Sequence, residues 1–257
     1  MTVVLAAIDN SAAARPVLST AKAVARLTGA DPLAIHVRED GMSTARAAAN
    51  NAGIELNIAE LPVGEALATA AARPEVIAMV VGARATPGGR RPAGHMAVDL
   101  ITAADKPLVV VPPFPRAPEP IQRILVALDG TSASAAALRG TMELAHRGAL
   151  DVVVLHVHEE ATVPAFEEQE HHEHEAWTHE FIERWCPGAA ELTQLDVRVG
   201  APGPRLLQAI RDAKTDLVAL AWSQSLAPGR AAVVREALSS SPVPVLLIPV
   251  LPTPSTR

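Results

Sequence analysis

The chain has 257 residues, 49% of them hydrophobic, and a formal net charge of −6. This length and composition allow one or two domains with a buried core, and the acidic balance disfavours nucleic-acid binding, which requires a basic surface. The lone cysteine, Cys186, excludes an internal disulfide, and the first apolar run, residues 3–8, is too short to cross a membrane. We therefore expect a soluble, cytoplasmic protein with neither nucleic acid nor a membrane as a partner.

Apolar runs alternate with helix-forming stretches along the first part of the chain. An Ala-rich helix is predicted over residues 12–28, with Ser11 as its N-terminal cap. Runs of strand length predict five strands, near residues 3–8, 33–37, 54–59, 76–82 and 108–111.

The proline-rich residues 112–120 interrupt this pattern, because proline continues neither a helix nor a central strand. Beyond them, a helix is predicted over residues 133–148 with Ser132 as its cap. Five further strands are predicted near residues 123–128, 151–157, 195–199, 217–222 and 245–248. The predicted domains are therefore residues 1–115 and 120–257.

The two predicted domains are copies of one another. Asp9, which ends the first strand, is matched by Asp129, and the same offset pairs His36 with His156. Each copy closes on a proline-flanked aliphatic strand. Strand, helix and strand repeated in this way predict the α/β class, with two tandem open parallel five-stranded sheets and helices on both faces.

A ligand site is expected where the carboxyl ends of such strands meet. In the first copy, Asp9 follows the first strand, and the segment 82–95 follows the fourth strand with several glycines and arginines. Gly82 and Gly94 allow close approach of backbone N–H groups, and Arg84 adds positive charge. A helix predicted over residues 95–104 would begin there, and a helix start favours an anion. This pattern predicts a phosphate site.

These motifs resemble the universal stress protein family over nearly the whole chain, twice. The family has a flavodoxin-like, adenine-nucleotide-hydrolase-like fold, and its ATP-binding members hold phosphates on a loop of pattern Gly-x2-Gly-x9-Gly-Ser/Thr. The resemblance implies that Asp9 and Val37 contact adenosine in the first copy. It implies that phosphates, with Mg²⁺ if ATP is bound, lie against Gly82, Arg84, Gly94 and His95.

Both copies depart from the family's loop. In the first copy Ala85 stands at the second glycine, and His95 replaces the hydroxyl residue. In the second copy the loop that begins at Ala221 and Trp222 has no glycine at the first two glycine positions of the pattern and is shorter, so a degenerate site is expected there. Its counterpart residues are Asp129, Val157 and Gly229.

Two functions follow from these observations. The first is a stress-response module that binds ATP or another adenine nucleotide in the first copy. The alternative is a nucleotide-independent structural or protein-interaction scaffold, in which Asp9 and Asp129 serve only the helices that follow them. No catalytic motif is present, so we expect a protein without enzymatic activity, a slow ATPase being the alternative.

Two further features bear on ligands and partners. Residues 167–179 are rich in His and Glu, and helical spacing of His171, Glu175 and His179 would allow a metal face, although no Cys or third fixed ligand supports it. The closing strands 107–112 and 244–249 are the expected place for the two copies to pair as an internal pseudo-dimer, and a homodimer of chains is a further possibility.

Overall fold

We describe a computed structural model of the chain. The structure describes residues 1–38, 43–60, 62–83, 105–113, 120–158, 179–185, 193–225 and 231–250. Among these residues, no helix combines the length and apolar character needed to cross a membrane.

The first half has the alternation of strands and helices that the sequence predicts. Its elements are β1 (Val3–Ala7), α1 (Ala14–Thr28), β2 (Asp31–Val37), α2 (Ser43–Ala52), β3 (Glu55–Ala59), α3 (Val63–Ala72), β4 (Val76–Gly82) and β5 (Leu108–Val111). Helix α1 buries Val17, Leu18, Ala21 and Val24, a spacing that forms one stripe along a helix. It ends at Gly29, which adopts φ 67°.

The second half repeats this order. Its elements are β6 (Arg123–Ala127), α4 (Ser132–Arg147), β7 (Asp151–His158), β8 (Thr193–Val199), α5 (Pro202–Asp212), β9 (Leu217–Trp222), α6 (Ala232–Ser240) and β10 (Val245–Pro249). Residues 179–185, between β7 and β8, are helical. The predicted helix 95–104 lies outside the described residues.

All ten strands belong to one sheet. Their order is β3-β2-β1-β4-β5-β10-β9-β6-β7-β8, so each half has a five-stranded sheet of the same winding. Every pairing within a half is parallel, whereas β5 and β10 pair antiparallel, with Val110 opposite Val245. The predicted α/β fold with two parallel five-stranded sheets is confirmed. Because the halves run in opposite directions, their carboxyl edges lie at opposite sides of the sheet.

Helices cover both faces of the sheet. One buried cluster contains residues of α1, α2 and α4 with Phe181, and the other contains residues of α3, α5 and α6. The first cluster continues from one half to the other, since α1 contacts α4 and a Cβ at Gly148 would lie 2.9 Å from Leu27 Cδ1. The strand centres are fully buried, as in Val4, Val109 and Val126, which is why they form continuous apolar runs in the sequence.

The helix caps differ from the prediction. Thr131, not Ser132, is the N-cap of α4, and its side chain accepts a hydrogen bond from Ser134 N. The N-cap of α1 is Ala13 without a side-chain cap, while Ser11 Oγ accepts from Ala13 N at 3.1 Å before the helix begins. Neither Ser11 nor Ser132 is the N-cap residue, because hydrogen bonds to the preceding aspartate, Asp9 or Asp129, fix the turn before the helix.

Candidate functional site

The winding of each half reverses beside its first strand. β1 lies between β2 and β4, and β6 lies between β7 and β9. The connections that follow the two strands on either side of β1, or of β6, run towards opposite faces of the sheet. This leaves a crevice at the carboxyl ends of these strands. Asp9 and Asp129, which follow β1 and β6, therefore stand at equivalent crevices.

The crevice of the second half is an open cleft with a volume of about 1020 Å³. It is bounded by the ends of β6, β7 and β9, by the helical segment 179–185, and by the first residues of α4, α5 and α6. Its polar lining includes Asp129, Thr131, Ser134, His156, His158 and Arg184, and its apolar lining includes Val157, Phe181, Trp185, Leu206, Trp222 and Val234. This mixture suits a ligand that has both an apolar ring and polar groups.

Asp129 is held in place by the turn that follows it. Thr131 donates to Asp129 Oδ1 from its backbone N at 2.9 Å and from Oγ1 at 2.7 Å, and Ser134 Oγ donates to the same oxygen. Partial burial by itself raises the pKa of Asp129, but these hydrogen bonds outweigh it, and the pKa lies below its ordinary value. The residue is therefore a fixed carboxylate at neutral pH.

A group of rings lines the wall formed by β7. His156 Nδ1 donates to Leu128 O at 2.8 Å, and its ring lies 4.5 Å from that of His158 and 4.8 Å from that of Phe181. Burial, and then repulsion from His156, lower the pKa of His158 below its ordinary value. Gly130 adopts φ 78° next to this wall, and a Cβ there would lie 3.4 Å from His156 Cε1.

The opposite wall is formed by β9 and the start of α6. Trp222 ends β9 and is 4% exposed, and Ala231 precedes α6 with φ 50° and no side-chain cap. Residues 231–234 line the cleft, so the first turn of α6 faces it. Arg184, whose guanidinium lies 5.0 Å from the ring centroid of Trp185, contributes a positive charge to the cleft lining.

The first half has the same turn after its first strand. Ser11 donates to Asp9 Oδ1 from N at 2.9 Å and from Oγ at 2.6 Å. Val37 and Gly82 end the strands on either side of β1, so the structure brings them to the same edge as Asp9. Asn10 stands where the second half has Gly130, and its Oδ1 accepts from Ala45 N of α2 at 3.0 Å.

Several predicted site residues lie outside the described part of the chain. These are Arg84, Gly94 and His95 of the first copy and Gly229 of the second. Of the predicted second-copy residues, Asp129 and Val157 both line the cleft.

The His/Glu-rich segment is described only at His179, which is exposed. Within the described ranges, no three His, Cys, Asp or Glu side chains form a group that could hold a metal ion. The paired histidines of the repeat, His36 and His156, are both buried, and their Nδ1 atoms donate to the carbonyl oxygens of Ile8 and Leu128, the residues that directly follow β1 and β6.

The sequence interpretation did not assign His158, Phe181 or Trp222 to a site. Phe181 is buried in the core, but it also borders the cleft. A signal was present in the composition, because five of the six Phe and Trp residues lie in residues 120–257 and none precedes residue 114. The aromatic side chains are therefore concentrated in the second copy.

Comparisons with known proteins agree on one family. The family model described as "Universal stress protein family" matches residues 120–249. A universal stress protein from Archaeoglobus fulgidus has a similar structure, with 14% identity, a TM-score of 0.69, and coverage of 97% of this chain and 98% of that one. A protein of unknown function from Pseudomonas aeruginosa is similar at 12% identity and a TM-score of 0.68, covering 97% of this chain and 93% of that one.

Half-length structures solved with nucleotides are also similar. One of them is a universal stress protein from Archaeoglobus fulgidus in complex with dAMP, with 20% identity and a TM-score of 0.35, covering 49% of this chain and 97% of that one. The dAMP belongs to that protein. No curated protein matches the chain.

The family model covers half of the sequence, and the matched structures extend the same fold over its whole length. The chain belongs to the universal stress protein family.

Proposed function

We propose that this protein is a stress-response module that binds an adenine nucleotide, and that the cleft of its second half is a binding site. The observation that carries the proposal is the cleft itself, a cavity of about 1020 Å³ built around the fixed carboxylate of Asp129 at the switch point of the sheet. Open α/β sheets bind ligands at this point.

The carboxylate has one oxygen available for a ligand. Among the described residues, every hydrogen bond to Asp129 uses Oδ1. Oδ2 is therefore able to accept from a ribose hydroxyl, and the turn keeps it in place without a cost when the ligand arrives. Val157, half-buried at the end of β7, offers apolar surface to the base.

The sequence favoured the first copy as the site, through Asp9, Val37, Gly82, Arg84, Gly94 and His95. We retain that site as a second part of the proposal, since Asp9 is held by the same turn as Asp129. If ATP is the ligand there, Mg²⁺ would accompany its phosphates. The output of binding is a shift between conformations with different affinity for the nucleotide, not a chemical reaction.

Paired variants of the two aspartates test the proposal. Asp129→Ala and Asp9→Ala each remove one carboxylate from turns of the same geometry, so they serve as controls for one another. We expect adenosine, AMP or ATP to raise the melting temperature of the unmodified protein, and Asp129→Ala to weaken binding in calorimetry by about tenfold, a loss of about 1.4 kcal/mol. Unchanged affinity in Asp129→Ala would remove the second half as a site.

Phosphate release measured in the same samples tests the absence of catalysis. Release that exceeds background and disappears in either aspartate variant would make the protein a slow ATPase. A protein purified under native conditions without nucleotide, and without a thermal shift for any adenine nucleotide, would instead be the ligand-independent scaffold.

A further inference from the structure

One position of the cleft wall carries a titratable side chain in the second half and a permanent charge in the first. His158, the last residue of β7, lines the cleft, and the offset between the copies aligns it with Arg38. The Arg38 guanidinium does not lose its proton in proteins, and its Nη1 lies 2.8 Å from Glu60 Oε1. An imidazole instead gains or loses a proton close to neutral pH. The two halves therefore differ in how the charge at this position responds to pH.

His158 lies on the same side of the sheet as a second histidine. Because residues two apart on a strand share a face, His156 and His158 both lie on the side covered by α4 and residues 179–185. Their ring centroids are 4.5 Å apart in an edge-to-face contact, and the ring of His156 also lies 4.8 Å from that of Phe181. His156 is buried and donates from Nδ1 to Leu128 O, whereas His158 is only half-buried. His158 is therefore the more accessible of the two rings to solvent and to a ligand.

The charges of the cleft lining cancel when its histidines are neutral. Among the described residues that line the cleft, the Asp and Arg side chains are Asp129 and Arg184, and there is no Lys or Glu. Their formal charges sum to zero. A proton on His158 therefore changes this lining from neutral to positive, which favours an anionic ligand over a neutral one.

Charged groups on the neighbouring elements lie outside this lining. On β8, Arg198 is paired with Asp196 at 2.8 Å and with Asp212 at 2.9 Å, and its position opposite Val157 places it on the other face of the sheet from His158. On α5, Arg205 is exposed and donates to Val199 O at 2.8 Å. Residues 132–138, the first turns of α4, contain no charged residue. The remaining titratable side chains of residues 179–185 are exposed, so solvent screens them: His179, Glu180 and Glu183.

The surroundings of His158 give the direction of a proton coupling. Burial, and then repulsion from His156, lower the pKa of His158, so its ring is mainly neutral at neutral pH. A negative charge in the cleft stabilises the imidazolium and raises this pKa. Because the coupling between two bound species is reciprocal, the proton on His158 strengthens the binding of the anion by the same factor.

We propose that His158 is a binding residue of the second-half cleft that takes up a proton together with an anionic ligand. The inference rests on the proposed function, since it states how the same cleft distinguishes adenosine monophosphate (AMP) from uncharged adenosine. The preference for the charged nucleotide increases as the pH falls, and the histidine supplies this response. The first half has no such response at the equivalent position, because Arg38 keeps its charge.

NMR titration of the imidazole signals of the full-length protein tests the coupling directly. The signal of His158 is identified by its loss in His158→Gln, or by sequential assignment if that variant does not fold. Its pKa is measured without ligand, with adenosine and with AMP. We expect AMP to raise the pKa of His158 and adenosine not to raise it, because only AMP brings a negative charge into the cleft. The signal of the exposed His179 should respond to neither ligand.

Calorimetry measures the consequence for affinity. AMP and adenosine are titrated into the unmodified protein, His158→Gln and the matched control His179→Gln at about pH 5.5 and about pH 8. The phosphate of AMP itself titrates near about pH 6, but it does so for every protein, so the ratio of two proteins' affinities removes this effect.

We expect the affinity of the unmodified protein for AMP, divided by that of His158→Gln, to be at least about threefold larger at the lower pH than at the higher. The same ratio for adenosine should stay constant. His179→Gln should behave as the unmodified protein with both ligands.

The outcomes separate this inference from the proposed function. AMP that binds without raising the pKa of His158, or an AMP ratio that does not change with pH, overturns the inference and leaves the proposed function standing. A protein that binds neither adenosine nor AMP at either pH overturns both.

Discussion

The turn around Asp129 makes a defined contribution to stability that depends on pH. The perturbation is Asp129→Asn, which keeps the shape of the side chain and removes its charge. The three hydrogen bonds to Oδ1 then become bonds to a neutral acceptor. Bonds to charged groups are worth about 1.5–3 kcal/mol and neutral ones about 0.5–1.5 kcal/mol. Because Asp129 is exposed, solvent screens this difference, and we expect a net loss of about 1 kcal/mol at neutral pH.

The pH dependence follows from the lowered pKa of Asp129. A carboxyl group whose pKa is lowered by folding stabilises the protein above its unfolded pKa, and this contribution disappears as the pH falls through the folded pKa. The stability difference between the unmodified protein and Asp129→Asn should therefore be full at neutral pH and should disappear as the pH falls through the lowered pKa of Asp129.

Urea unfolding at several pH values measures this difference, and about 1 kcal/mol corresponds to about 2–4 °C in melting temperature for a chain of this size. Ser134→Ala removes one donor and completes a double-mutant cycle with Asp129→Asn. The coupling energy should be clearly above zero at neutral pH, since Asp129→Asn removes the charge from the same hydrogen bond that Ser134→Ala deletes. Additive effects at neutral pH, or a stability difference that persists unchanged in acid, would refute this account of the turn.

Three further predictions concern the helices, the seam and the rings. Gly140 is exposed inside α4, and a Cβ added there would meet no atom within 4 Å. Gly140→Ala should therefore raise the free energy of unfolding, measured in denaturant melts, by about 0.5–1 kcal/mol. A lower free energy of unfolding in this variant would show that the glycine has a local role. Leu247 is fully buried in β10, which pairs with β5 where the two halves meet. Leu247→Ala should lower the free energy of unfolding by about 2–5 kcal/mol, and a smaller decrease would show that the core around β5 and β10 repacks. NMR titration should give His158 a pKa below its ordinary value that rises in His156→Gln, and an unchanged pKa would exclude repulsion by His156 as a cause.

The fold followed from patterns that are local in sequence. Buried parallel strands are continuous apolar runs, and the repeat of Asp9 as Asp129 and of the closing strands fixed the register of the two copies. The cap positions were misplaced by one or two residues, because Asp129 draws Thr131 into the cap and Ser132 into the helix. Which residue becomes the N-cap depends on the geometry of the turn, and residue type alone does not determine that geometry.

The site was less accessible to sequence reasoning. Asp129 and Val157 could be located from the repeat, but the cleft around them depends on where α5, α6 and residues 179–185 pack. Trp222 was visible as part of a loop that departs from the family's pattern, but its place among the residues that line the cleft follows only from the structure. Side chains that meet from distant parts of the chain are not encoded in any short motif.

The antiparallel seam between β5 and β10 has a consequence for how the protein evolves and responds. Two separate subunits joined in this way would come apart on dilution, and each would have to suit an identical partner. The two halves of one chain stay associated at any concentration. Because each half is encoded separately, a mutation in one half is not repeated in the other. Each carboxyl edge is then free to specialise, and a signal that passes from one to the other has to cross the shared central strands.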